Sequence, residues 1–227
     1  MIKQKIIKPI RKAVTVPVKE NEAVRFVALG GLEEIGRNMM FFEHKDEIVI
    51  IDAGLQFPEE TTPGIDFIIP NVSYLEAKKK NIKALVITHG HYDHIGAIPY
   101  IMEKIGNPTI YTTALNKAII SRRQEEFTNA PKIDFELIKA GETRQLSEHF
   151  KAIFFGVAHT IPDSIGVILD TPAGNMVYPG DFRLDYDIDG KPKDMEVWKF
   201  ISEHKIHSLF LDSTGADKEG YSISERV

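Results

Sequence analysis

Short apolar runs, each closed by glycine, proline or aspartate, dominate the hydrophobic pattern and predict strands alternating with helices. The first run is 23–29, ended by Gly30 and Gly31. Residues 39–43 and 47–51 follow, and the polar His44, Lys45 and Asp46 between them predict a hairpin. The second of these is apolar throughout its end, as a strand buried on both faces is, and it runs into Asp52, Ala53 and Gly54, where the chain can turn sharply. A long loop rich in proline and glycine then leads to Asn71, which can cap a helix reaching Lys80. Residues 84–88 form a second doubly buried strand that ends directly at His89. Helical spacing over 96–105, with Pro99 near its start, precedes a short strand at 108–112 and a helix at 115–127. After Pro131 the pattern predicts strands at 133–139, 151–156, 164–170 and 175–178, a helix at 194–204 and a last strand at 208–212. Strands interleaved with helices predict a layered α/β domain over 22–227, preceded by a basic flexible arm at 1–21.

Charge sharpens this division. The chain of 227 residues carries a net −5, yet residues 1–20 hold six cations against Glu20, a net of +5, so the rest carries −10. The chain has no cysteine, which excludes disulfides, thiolate nucleophiles and thiolate metal sites, and leaves His, Asp and Glu as the only strong metal ligands. No stretch approaches the ~18 apolar residues of a membrane span, and the first residues lack the apolar core of a secretory signal, so a cytoplasmic protein without membrane attachment is expected. The glycine-rich segment 30–36 lacks dinucleotide-binding spacing, and there is no P-loop.

The chemistry concentrates in Thr88-His89-Gly90-His91-Tyr92-Asp93-His94. In an extended loop, residues two apart point the same way, so His89 and His91 can share one ion. Asp93 and His94, offset and opening a helix, can face a second ion, and paired ions ~3.5–4 Å apart are a hydrolase arrangement. His159 and Asp181 each follow a predicted strand beside glycine or proline, where loop residues converge on a site. Alone, the first would pack and the second would turn the chain; beside 88–94 both become ligand candidates. Asp52 is placed to orient a ligand histidine, or else simply to make a turn. Arg122, Arg123 and Lys78 to Lys80 read as exposed helix charge.

With these residues in hand, the chain resembles the metallo-β-lactamase superfamily. Within it, the blocks GGLEEIGRNM (30–39), DAGLQFPEE (52–60), GIDFIIPN (64–71), ITHGHYDHIGAIPY (87–100), VAHTIPDS (157–164), GDF (180–182) and LDST (211–214) are similar to the N-terminal half of the ribonuclease J family of β-CASP ribonucleases. The resemblance implies an αββα sandwich, truncated before or at the β-CASP insertion, and two zinc ions. His89, His91 and His159 would hold one, Asp93 and His94 the other, with Asp181 bridging. It implies catalytic roles for Asp93 and Asp181, and for Asp212 as the acidic residue that opens the insertion and supports a leaving-group acid. It also implies hydrolysis of RNA, 5′–3′ and internally, by a water that the ions acidify, in RNA decay and rRNA maturation, and a dimer or tetramer.

Tyr92 departs from the family, which usually has Glu there, and this implies a tuned loop. The family's final histidine ligand has no counterpart here, since His44, His149, His204 and His207 lie outside its motifs. Two other expectations stand beside the ribonuclease: a small-molecule dizinc hydrolase of thioesterase or lactonase type, and a fragment inactive without that last ligand.

Overall fold

The computed structural model describes residues 22–58, 63–187, 189, 191–193 and 195–219. The arm expected at 1–21, the predicted helix start at Asp194 and the last eight residues lie outside the described residues.

Two sheets form the centre. The first runs β1 (Arg25–Gly30), β2 (Met39–His44), β3 (Glu47–Ile51), β4 (Ile82–Val86), β5 (Ile110–Thr112) and β6 (Phe135–Leu137), in that spatial order. β1, β2 and β3 are antiparallel neighbours, and β3 to β6 are parallel. The second sheet comprises β7 (Thr143–Gln145), β8 (Lys151–Gly156), β9 (Ile165–Thr171), β10 (Gly174–Tyr178) and β11 (Ile206–Leu209), ordered β11-β10-β9-β8-β7. The helices are α1 (Ser73–Ala77), α2 (Tyr92–Ile95), α3 (Ile98–Ile101), α4 (Ala114–Gln124) and α5 (Met195–Ser202).

Strand periodicity of two sorts the apolar side chains into layers. From β2, β3 and β4, Phe42, Val49, Ile51, Ala84 and Val86 pack against Ala152, Phe154, Val167, Leu169 and Met176 of the second sheet. Their alternates Phe41, Ile48, Ile50 and Leu85 turn outward onto Leu75, Ile98, Ile101 and Ile120. On the far side of the second sheet, Phe155, Ile168 and Val177 meet Ile201, Val197 and Trp198 of α5. Helices, sheet, sheet, helix: this is the αββα order expected. It also explains why 47–51 and 84–88 carry no polar alternation, since both of their faces are covered. Among the described residues, no helix is long and apolar enough to cross a membrane.

Several boundaries differ from expectation, each for a physical reason. β4 stops at Val86 because the next-but-one amide, Thr88, donates to the Asp52 carboxylate (2.9 Å) instead of a neighbouring strand. The helix expected over 71–80 is α1 plus a 3₁₀ turn at Lys79–Asn81, broken at Lys78, where the backbone leaves the helical region (φ −116°, ψ 22°). Asn71 accepts the Ser73 amide (3.0 Å), but the cap position is Val72. The 96–105 helix is regular only over α3, which holds Pro99 in its first turn. The last strand sits at 206–209, so Asp212 lies beyond it in a loop. β7 has no counterpart in the predicted elements.

The two sheets are tied at the end where β3 and β8 begin. Glu47 accepts hydrogen bonds from the Ser147 hydroxyl (2.7 Å), the amides of Glu148 (3.2 Å) and His149 (3.0 Å), and His149 Nδ1 (3.0 Å). At the opposite end the Ile165 amide donates to the Thr88 carbonyl (3.0 Å).

Candidate metal centre

β3 and β4 are parallel, and β8, β10 and β11 share one direction in their sheet, so the C-terminal ends of all five strands open toward one mouth. From these ends come Asp52 after β3, 88–94 after β4, His159 after β8, Asp181 after β10 and Asp212 after β11. Backbone hydrogen bonds weave the loops together: Asn38 N to Asp93 O (3.0 Å), Gly54 N to Asn38 O (2.9 Å), Ala53 N to His94 O (2.8 Å) and Leu55 N to Tyr92 O (3.0 Å). Gly54 makes the weave possible, since a Cβ there would lie 1.5 Å from the Asp93 carbonyl oxygen.

Three imidazoles converge first. His91 Nδ1 lies 3.1 Å from His89 Nε2 and 3.1 Å from His159 Nε2. The three rings stand nearly perpendicular in pairs, at 84°, 79° and 77°. Three ring nitrogens aimed at one point cannot each find a hydrogen-bond acceptor in the other two, whereas a cation between them uses every lone pair. A second set adjoins it: His94 Nε2 is 3.2 Å from Asp181 Oδ1 and 3.5 Å from Asp93 Oδ2. Asp181 Oδ2 in turn lies 3.9 Å from His89 Nε2 and 3.8 Å from His159 Nε2, so one carboxylate adjoins both sets. His89, His91 and His159 form one group able to hold a metal, and His89, His94 and Asp181 another.

Behind both stands Asp52, fully buried and in the left-handed region (φ 59°). It accepts the Thr88 amide (2.9 Å), the Thr88 hydroxyl (2.9 Å) and His94 Nδ1–H (2.8 Å). Because a carboxylate only accepts, the Thr88 hydroxyl gives its hydrogen to Asp52 and its oxygen accepts His89 Nδ1–H at 3.1 Å. One buried carboxylate thus fixes the tautomer of two rings, leaving both Nε2 atoms to face inward.

Electrostatics agree with that division. Burial pushes the Asp52 carboxyl up, against the nearby His94. Burial opposes charge on His94, but Asp52 and Asp181 outweigh it and raise the ring to about 10. Burial, then the charge of His94, depress His89 to about 2. Burial works against the Asp181 carboxylate, yet His94, His89 and His159 pull it down to about 2. A bound cation would take the place of the proton that His94 otherwise holds.

All six expected ligands, His89, His91, Asp93, His94, His159 and Asp181, meet at this mouth, and Asp52 lies against them. Asp212 is farther out: it borders a hollow of about 670 Å³ with Asp93 and Asp181, and its carboxylate accepts the Thr214 amide (2.8 Å). Sequence reasoning missed Asn38, whose Nδ2 lies 3.2 Å from Asp93 Oδ2 and 3.0 Å from His94 Nε2, and it gave Thr88 no role. Neither residue type signals a site; each matters only through where the fold sets it. His44, His149 and His204 make other bonds, to the Ala23 carbonyl, Glu47 and the Phe200 carbonyl. Arg122 is exposed as expected, but Arg123 is not: only 22% of its side chain is accessible.

The family model described as the Metallo-beta-lactamase superfamily matches residues 32–201, three quarters of the chain. The chain belongs to the metallo-β-lactamase superfamily. Among curated proteins this superfamily member is similar to ribonuclease J of Mycoplasma pneumoniae, 38% identical over 203 residues, 89% of this chain and 36% of that protein. Ribonuclease J of Thermus thermophilus is 38% identical over 208 residues, with the same coverages, 89% and 36%. The chain therefore spans about a third of the length of the curated relatives it matches. Among solved structures, a protein of unknown function from Enterococcus faecalis V583 superposes with a TM-score of 0.63 at 16% identity, covering 88% of this chain and 52% of that one. The short form of human tRNase Z gives 0.52 at 20% identity, covering 88% and 83%. At such identities both likenesses speak to the metallo-β-lactamase fold.

Proposed function

We propose that this chain carries the hydrolytic site of a ribonuclease that cuts RNA phosphodiester bonds at a pair of zinc ions. The observation that carries the proposal is the meeting of two donor sets at Asp181, within 4 Å of His89, His94 and His159 alike. His89, His91 and His159 would hold one ion and Asp93 and His94 the other, with Asp181 between them; all nitrogen and oxygen, this donor set suits zinc. RNA as substrate is supported by 38% identity to proteins named ribonuclease J. By the same likeness we extend the proposal to 5′–3′ and internal cutting in RNA decay and rRNA maturation.

Bound there, zinc supplies Lewis acidity, acidifying a water and neutralising charge on the phosphate. The side chains do the rest. Asp52, directly and through Thr88, keeps protons on Nδ1 of His94 and His89, so both rings present a lone pair at Nε2. Asp93 Oδ2, which accepts from Asn38 Nδ2 (3.2 Å), would take the proton of the attacking water. Asp212 at the rim would position a further proton donor.

The test is elemental analysis of protein purified without added zinc, together with cleavage of single-stranded RNA. About two ions per chain are expected, with cleavage abolished in Asp181→Ala. A metal-free wild-type protein, or full cleavage by Asp181→Ala, would overturn the proposal.

A further inference from the structure

Tyr92 sits between His91 and Asp93 in the chain, yet its ring does not join them. Its backbone is fixed by the loop weave, its carbonyl accepting the amides of Leu55 (3.0 Å) and Gly96 (2.7 Å). Its ring remains 41% exposed. Arg123 from α4 lies over that ring, 5.4 Å from its centroid, and over Phe127 at 5.0 Å, while pairing with Glu126. The ring is therefore held in place from one side by a half-buried guanidinium, and little freedom is left to lose on binding.

The ring also lines an open hollow of about 660 Å³ that leads to the centre. Its lining is mostly apolar, from Ile35, Leu55, Phe57 and Tyr92 beside Gln56, and includes His91 and Asp93 of the centre. Two of those walls are unusually bare, Ile35 at 75% and Phe57 at 62% exposure. Such a hollow fits a ligand that is planar and apolar in one part and anionic in the next, with the anion drawn to the metal-holding end. A nucleotide of a single strand has that form, its base offering a π-face to an aromatic ring and its phosphate the charge.

We propose that Tyr92 is a stacking platform for one nucleobase of single-stranded RNA, seated in this hollow beside the phosphate at the centre. The proposal rests on the RNA function above and adds to it a named contact for the base. Recognition of this kind is tolerant of base identity, because every base has a π-face, and it selects unpaired over paired strands.

The test is fluorescence anisotropy with a labelled, cleavage-resistant phosphorothioate RNA decamer, and with the same decamer made abasic at each position in turn. Tyr92→Ala is expected to weaken binding of the intact decamer by roughly 5- to 150-fold, while Tyr92→Phe and Tyr92→Trp retain it. One abasic position should remove the difference between wild type and Tyr92→Ala. The proposal is overturned if Tyr92→Ala binds the intact decamer as wild type does, if Tyr92→Phe is as weak as the alanine variant, or if the difference survives at every abasic position. A wild-type chain that binds neither decamer overturns the RNA function itself.

Discussion

Exchanging Asp52 for asparagine changes one atom and tests the most buried part of the site. Three donors converge on the two carboxylate oxygens: the Thr88 amide, the Thr88 hydroxyl and His94 Nδ1–H. Asparagine has a single oxygen. Turned toward Thr88, its NH₂ faces a backbone N–H in a site with no solvent exposure, and leaving that donor unpaired costs about 1–3 kcal/mol. Turned toward His94, it drives the ring proton from Nδ1 to Nε2, the nitrogen 3.2 Å from Asp181, and so blocks the lone pair a metal needs. Loss of such an orienting carboxylate lowers metal affinity about 10- to 100-fold, or about 1.4–2.7 kcal/mol, which matches the hydrogen-bond figure. Zinc competition against a chromophoric chelator measures it directly, with thermal unfolding reporting whether the fold survives. Thr88→Val removes the His89 branch and one donor to Asp52 but leaves the bond from His94 Nδ1–H, and affinity should fall about tenfold. A folded Asp52→Asn protein with zinc affinity within twofold of wild type would refute the tautomer argument.

Two further outcomes follow from the packing. Gly54→Ala places a methyl 1.5 Å from the Asp93 carbonyl oxygen, so the loop weave must open; a destabilisation of about 3 kcal/mol and loss of bound metal are expected, read by chemical denaturation and elemental analysis. Glu43, at the remote end of β2, accepts hydrogen bonds from Lys78 (2.5 Å) and Tyr74 (2.6 Å). Burial opposes its charge, but these partners and Arg25 prevail and hold its pKa below the ordinary 4.5. Its stabilisation is thus complete above the unfolded value and lost as pH falls through the lower folded one. Glu43→Gln should cost about 1–2 kcal/mol at pH 7, and denaturation midpoints should show the gap between variant and wild type closing below about pH 4.5.

Much of this was legible in the residues because burial on both faces leaves a plain signature. The runs 47–51 and 84–88 carry it, and each delivers a candidate site residue at its end. The histidine cluster was legible because its spacing is local, and α2 begins at Tyr92 with His91 as its cap, as the offset of Asp93 and His94 requires. What escaped is non-local or unmarked. β7 is Thr-Arg-Gln, a short, largely exposed edge strand with no apolar position to announce it. Asn38 acts on Asp93 across 55 residues, through a fold that brings the start of β2 beside α2. Arg123 was read as solvated because cations on helices usually are; its burial depends on Tyr92 and Phe127, and no periodicity records that.

The sandwich is clasped at both ends, by Glu47 at one and by the Ile165 amide on the Thr88 carbonyl at the other. The second clasp lies at the mouth, and the candidate site draws on both sheets: Asp52, His89 and His94 from the first, His159 and Asp181 from the second. β3 is roughly 17 Å long at ~3.4 Å per residue, so with the clasp at the mouth removed a tilt of about 3° between the sheets would move the two donor groups by roughly 0.9 Å. The layer between the sheets includes Phe42, Val49, Phe154 and Val167, none of which is a candidate ligand. Thinning this layer is therefore expected to shift the two donor sets relative to each other without altering any residue of either.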